Sequence, residues 1–196
     1  MTPFMARPRG FDEDQVLDRA VEAFWSASLA GTSTQDLCDA TGLSRGSLYN
    51  TFDNKAELYR RALDRYGELQ RGDRQGHLDE SRSGREILEE LLLETLKAQA
   101  TSPGRRTCLA VHAAVEVGKA DEQIAALVRR NLAAFQQVIT ELIARGQADG
   151  SVTAASSAAH LGSVVHAALN GLQVRARVAQ GERDARRAVR TLMSLL

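Results

Sequence analysis

Along most of the chain, apolar residues recur every third or fourth position, and short polar gaps separate the recurring stretches. That period belongs to helices, and the strict alternation of half-buried strands is scarce, so the pattern predicts an all-α chain. Val16, Leu17, Ala20, Ala23 and Phe24 form the stripe of a first helix, from about Glu13 to Ala27, with Trp25 beside it. Asp12 is its N-cap, Gln15 stands at N3, and Phe11 can staple onto Val16. Ser33-Thr-Gln-Asp36 is a capping box that opens a second helix over about 34–41. Leu37 and Ala40 are its apolar positions, and Gly42 can take the positive φ that ends it. Leu43 plugs the angle to a third helix, about Arg45 to Asn50, which Ser44 caps. Asn54-Lys-Ala-Glu57 is another capping box, heading a long fourth helix to about residue 70 with Leu58, Tyr59, Ala62, Leu63 and Tyr66 on its apolar side.

Residues 71–84 are polar and glycine-rich, the best loop candidate and a boundary. Five helical stretches follow, for about nine in all. Residues 85–100 carry Ile87, Leu88, Leu91, Leu92 and Leu96, and Pro103-Gly104 breaks that run. Residues 107–117 are apolar on most sides, which predicts a central helix ended by Gly118. Residues 121–146 form a long stripe from Ile124 to Ile143, and Ala148-Asp-Gly-Ser makes a turn. Residues 154–180 are rich in small residues. Gly181 separates a last helix carrying Ala185, Val189, Leu192 and Leu195.

The third helix is short, polar and poor in core-forming residues, so its reason to exist lies outside the protein. Two helices joined by a tight turn, the second presented outward, make a helix-turn-helix that offers its second helix to a DNA major groove. Arg45 can take a guanine edge or a phosphate, and Asn50 can read a base or cap the helix end. Gly46 and Ser47 share the exposed first turn, and Thr34, Gln35 and Thr51 are phosphate candidates. Arg7 and Arg9 stand in a leading segment with no apolar period, either a frayed tail or an arm toward DNA.

These residues resemble a known family. Thr32-Ser33, Asp36-Leu37, Gly42-Leu43-Ser44, Gly46, Leu48-Tyr49, Phe52, Lys55 and Leu58 match the DNA-binding domain of TetR-family transcriptional repressors over roughly residues 11–60. The resemblance implies an N-terminal three-helix DNA-binding domain, residues 1–55, and a helical effector-binding and dimerisation domain, residues 56–196. It implies phosphate contacts for Tyr49 and Lys55. It implies a small buried residue at Cys38, and a glycine where this chain has Ser28, with Gly31 available to absorb the turn. Arg106 to Glu116 also resembles a Cys-Leu segment of a subset of these regulators, some of which sense electrophiles or oxidants through that cysteine.

Composition narrows the rest. Lysine plus arginine and aspartate plus glutamate both number 25, so a DNA-binding face must be local. Residues 1–75 hold ten basic and twelve acidic residues, which points to modest non-specific affinity. There is no apolar run of membrane-spanning length and no signal-peptide pattern. Two distant cysteines, Cys38 and Cys108, suit a cytoplasmic protein with free thiols. No nucleotide loop, metalloprotease motif or nucleophile elbow is present, so an enzyme is not expected, nor a cofactor or a metal.

For a ligand, Cys108, His112 and Glu116 fall at i, i+4 and i+8, on one face of a helix, and His166 with Asn170 makes a second pair. Such groups can orient a small-molecule effector, or can be satisfied interior residues. A protonated His112 one turn away would favour a thiolate at Cys108, which keeps a thiol-sensing repressor open as the alternative. The small residues of the last two helices suit a seam between two copies of the chain. The expected partners are double-stranded operator DNA, a second subunit and an unidentified effector, with no membrane.

Overall fold

The computed structural model describes residues 11–75, 81–102, 106–118, 120–178 and 182–196. The possible N-terminal arm with Arg7 and Arg9, the Pro103-Gly104 break and the Gly181 separator lie outside them. Among the described residues every regular element is a helix: α1 (Glu13–Gly31), α2 (Thr34–Thr41), α3 (Arg45–Phe52), α4 (Lys55–Gln75), α5 (Gly84–Thr101), α6 (Leu109–Glu116), α7 (Glu122–Asp149), α8 (Ala158–Val178) and α9 (Glu182–Met193). No helix there is long and apolar enough to cross a membrane.

The local signals act where the sequence puts them. Asp12 caps α1, its Oδ1 accepting from Asp14 N at 3.0 Å. Ser33 and Asp36 close a reciprocal capping box on α2, which fixes Asp36 as a carboxylate: the Ser33 hydroxyl, then its backbone N–H, hold its pKa below the usual value. Gly42 ends α2 in the left-handed region with φ 74°.

Two apolar cores result. The first gathers α1–α4 with Leu109 and Ala113 of α6 and Ile124 and Val128 of α7. The second gathers α5, α8, α9 and the tail of α7, from Phe135 to Ile143. Thus α7, 28 residues and roughly 42 Å long, runs through both. At its far end α5 meets it backbone to backbone. A Cβ on Gly84 would stand 2.4 Å from Leu142 O and 2.3 Å from Gly146 N, so only glycine fits. Gly84 N–H donates to Asp149 Oδ2 at 2.8 Å across the same junction.

The helices differ from expectation in several places. α3 runs two residues further, because Phe52 is buried beside Leu48 at the floor of the motif. α4 continues to Gln75, through residues without an apolar stripe, so the loop is shorter than the polar run suggested. α8 starts at Ala158 rather than 154, since Thr153 and Ala154 N–H both donate to Leu196 O instead of entering a helix. α6 is not sheathed on all sides: Leu109, Ala110 and Ala113 are buried, but Val115 is 84 % exposed.

Candidate functional site

The helix-turn-helix sets its interior first. Leu37, Leu48 and Phe52 are fully buried, and Leu43 packs against the same core, which fixes how α3 projects. With Leu48 and Phe52 turned inward, Arg45, Gly46 and Asn50 are exposed and Ser47, Tyr49 and Thr51 half-exposed. Ser44 Oγ accepts from Ser47 N at 3.1 Å and donates to Ser47 Oγ at 3.0 Å, so the cap also orients the Ser47 hydroxyl. Thr51 Oγ1 donates back to Ser47 O, and Gln35 Nε2 to Asp39 Oδ1. The Tyr49 hydroxyl lies 2.6 Å from Thr34 Oγ1 and ties α3 to the start of α2. Among the described residues, Arg45 and Asn50 spend their side chains on no protein group. A Cβ at Gly46 would meet only Ser44 Oγ, at 4.0 Å, so the turn between Arg45 and Ser47 is open to a close approach.

Much of the charge of this half is paired within the chain. Arg65 chelates Asp18, Arg61 pairs with Glu13, and Arg60 bridges Glu57 and Asp121. The Arg60 guanidinium, with the Ile124 N–H, holds the Asp121 carboxyl below the usual carboxylate range. These pairs bind α4 to α1 and α7, with the Arg61 guanidinium 5.0 Å from the ring centre of Phe52, and leave Arg45 as the exposed cation of the recognition helix.

The end of α1 is held by a clamp that the sequence did not announce. The helix breaks at Ser28, which takes φ 66° and ψ 177°, a region that is essentially glycine's. The turn therefore falls on Ser28 and not on Gly31. Glu116, at the end of α6, accepts from Leu29 N at 2.9 Å and Ala30 N at 2.6 Å, just beyond the break. Lys55 Nζ donates to Leu29 O and Thr32 O, each at 3.0 Å. One turn earlier the Trp25 indole N–H donates to Thr107 O, and Arg106 pairs with Glu22 while its guanidinium lies 5.7 Å from the Trp25 ring centre.

Between the two cores lies a cavity of about 240 Å³. Its walls come from Trp25 of α1, Tyr66 and Gln70 of α4, Leu91, Glu94, Thr95, Ala98 and Gln99 of α5, Ser102 and the 106–108 segment, Phe135 of α7 and Gln173 of α8. Gln99 and Gln173 are buried, and Gln99 Nε2 donates to Gln173 O at 2.6 Å. Tyr66 OH points at Cys108 Sγ, 3.5 Å away.

Residues 16–62 match the family described as bacterial regulatory proteins of the tetR family, and residues 84–192 match the tetracyclin repressor-like C-terminal domain. The second match alone spans more than half of the chain. This chain belongs to the TetR family. It is thus a DNA-binding transcriptional regulator. Among curated relatives it is similar to the HTH-type transcriptional repressor ComR of Escherichia coli, with 26% identity over 172 residues, 87% of this chain and 82% of that one. Its structure is similar to that of the TetR-family regulator CifR, solved as a cysteine mutant with a 26-bp double-strand operator DNA. The TM-score is 0.81 and the identity 30%, covering 96% of this chain and 98% of that chain. A TetR-family regulator from Agrobacterium tumefaciens shares the fold, at TM-score 0.83 and 17% identity over 92% of this chain and 95% of that one.

Within this TetR-family chain the expected ligand residues do not converge. Cys108 precedes the first helical residue of α6, so it leaves the face that the spacing assigned to it and turns to the cavity wall. Glu116 belongs to the α1 clamp. His112 Nε2 accepts from Arg177 Nη1 at 2.6 Å, and His112, Glu116 and Arg177 line a separate outer groove. Burial, then Arg177, pushes the His112 pKa below the ordinary imidazole value, against the opposing pull of Glu116. A neutral His112 turned away from Cys108 does not stabilise a thiolate, and a thiol-sensing mode is not favoured. His166 sits against Phe135, ring centres 5.3 Å apart, in a small pocket behind the main cavity that Cys108 shares. Asn170 is half-buried on α8 and lines neither the main cavity nor the pocket of His166. Cys38 is half-buried against the first core rather than fully enclosed. Gln99 and Gln173 are the wall residues that sequence reasoning missed. The signal existed: each glutamine occupies a stripe position, after Leu92 and Leu96 in one helix and after Val165 and Leu169 in the other.

Proposed function

We propose that this chain is a homodimeric repressor that leaves its operator when a small molecule fills the cavity between the cores. One observation carries the reading: the cavity and the α1 clamp share Trp25, Arg106 and Thr107. A molecule that presses on this wall displaces groups that position α1, and α1 carries the helix-turn-helix. The effector acts through its different affinity for the two arrangements, which is what a shift of population requires.

In this reading residues 1–55 read DNA and 56–196 bind the effector and dimerise. Arg45 and Asn50 address base edges, with Gly46 admitting the backbone between them. Thr34, Gln35, Ser47, Tyr49 and Thr51 hold phosphates. Lys55 contributes to the phosphate-facing end of α4, although its ammonium is already shared between two carbonyls of α1. The second subunit docks on α8 and α9. On α8, Ser163, Val164, Ala167, Gly171, Val174 and Val178 are all exposed at helical spacing, a face of small and branched residues that lets a second helix approach closely. The protein works in the cytoplasm, on the chromosome, and has no turnover of its own.

Fluorescence anisotropy of a labelled duplex from upstream of the gene tests this. Tyr49→Ala is expected to weaken operator binding roughly tenfold, about 1.4 kcal/mol, with the dimer intact by sedimentation. Val174→Arg is expected to give a folded monomer that loses the operator. A monomer that binds as well as the dimer sinks the reading.

A further inference from the structure

We infer that the cavity selects a one-ring aromatic molecule carrying a hydroxyl or N–H donor. The inference rests on the cavity being the effector site and adds the chemical class of its occupant. Three rings line the space, Trp25, Tyr66 and Phe135, and a flat apolar body fits among them. The volume of about 240 Å³ falls below the ~300–1,000 Å³ of sites for drug-sized ligands, which limits the occupant to a single substituted ring.

The polar end of the occupant follows from the glutamines. Gln99 Nε2 is spent on Gln173 O, and this fixes which end of the Gln99 amide is oxygen. Gln99 Oε1 is buried and accepts no hydrogen bond, and the same is true of Gln173 Oε1. Two buried acceptors without donors cost free energy that a ligand donor recovers. An ether of the same shape brings only a third acceptor to two carbonyl oxygens and recovers nothing. Donors therefore win over ethers.

The chain has one tryptophan, Trp25, so its fluorescence locates binding at this wall. The test uses the full-length dimer with 4-propylphenol and 4-propylanisole, calorimetry for affinity, and red-edge excitation of Trp25, where the probes are transparent. The phenol is expected to bind saturably, to change Trp25 emission, and to bind at least roughly tenfold more tightly than the ether. Gln99→Leu is expected to bring the phenol down to the ether's affinity while the ether is unaffected. Equal binding of phenol and ether, or a phenol preference that survives Gln99→Leu, overturns the assignment. The wild-type ranking stands as a test even if the variant does not fold. A phenol that binds with this ranking but leaves operator affinity unchanged supports the ligand class and refutes the effector role, so the two failures are distinct.

Discussion

The two cores are built from different materials. The first is aromatic: Phe24 meets Tyr59 edge-on at 4.9 Å, and Trp25 meets Tyr66 at 5.2 Å. The second, Phe135 apart, is leucine, isoleucine and valine with Met193. Aliphatic layers interdigitate and seal, whereas rings packed edge-on set fixed angles. Where the two meet, the buried residues turn polar: Gln99, Thr107, Asn131, His166 and Gln173. Asn131 Nδ2 donates to Leu63 O, in a gap that exists because Gly67 has no side chain to fill it. A junction of polar side chains around a hollow can rearrange without opening either core, and a regulator needs such a place.

The comparison can be broken at its strongest point first. Phe24→Ala removes a fully buried ring from the aromatic core and is expected to cost about 3–5 kcal/mol in urea unfolding, against roughly 2–5 for Leu92→Ala in the aliphatic core. Only the first is expected to abolish operator binding at temperatures where the chain remains folded. Equal effects of both on the operator contradict a junction that separates the cores. Glu116→Gln removes the charge that holds Leu29 and Ala30 N–H, with an expected loss of about 1.5–3 kcal/mol. Operator affinity in this variant is expected to respond less to a cavity ligand, as anisotropy would show. Ser28→Gly relieves a glycine-only conformation, and after the extra chain entropy of glycine the expected gain is about 1 kcal/mol in the same denaturation assay.

The smallest effect concerns pH. His112 is held below the ordinary imidazole pKa of 6.5, so the unfolded chain takes up this proton first on acidification. Stability therefore falls as pH drops below about 6.5, and levels off once the folded His112 also titrates. His112→Gln is expected to remove that slope from a melting-temperature series, and an unchanged slope would reassign it.

How much could be read in advance depended on whether the signal was local. Ser33, Asp36 and Gly42 fix both ends of α2 through their own backbone neighbours, and the sequence placed that helix correctly. The exposed set on α3 was legible too, since Leu48 and Phe52 leave Arg45 and Asn50 little choice. What failed was tertiary. Spacing placed Cys108, His112 and Glu116 on one helical face, but α6 begins at Leu109, two residues later than expected, and Cys108 faces the cavity while His112 and Glu116 line the outer groove. Lys55 reads as a phosphate ligand from its position, and only the approach of α1 shows its ammonium on two carbonyls. Ser28 looks like a poor substitute for glycine, and nothing nearby in sequence reveals that Glu116, 88 positions later, supports the break.

The contact of Gly84 with Leu142 and Gly146 has a mechanical side. With no side chain between them, α5 and α7 are pinned there, and hydrogen bonds from Gly84 to Asp149 and Arg85 to Ser151 tighten the pin. The opposite tip of α7, near Ile124, lies roughly 33 Å away along the helix axis. A tilt of about 5° about the pinned end carries that tip close to 3 Å. A small swelling beside Phe135 thus becomes a displacement the width of a hydrogen bond under the helices that read DNA.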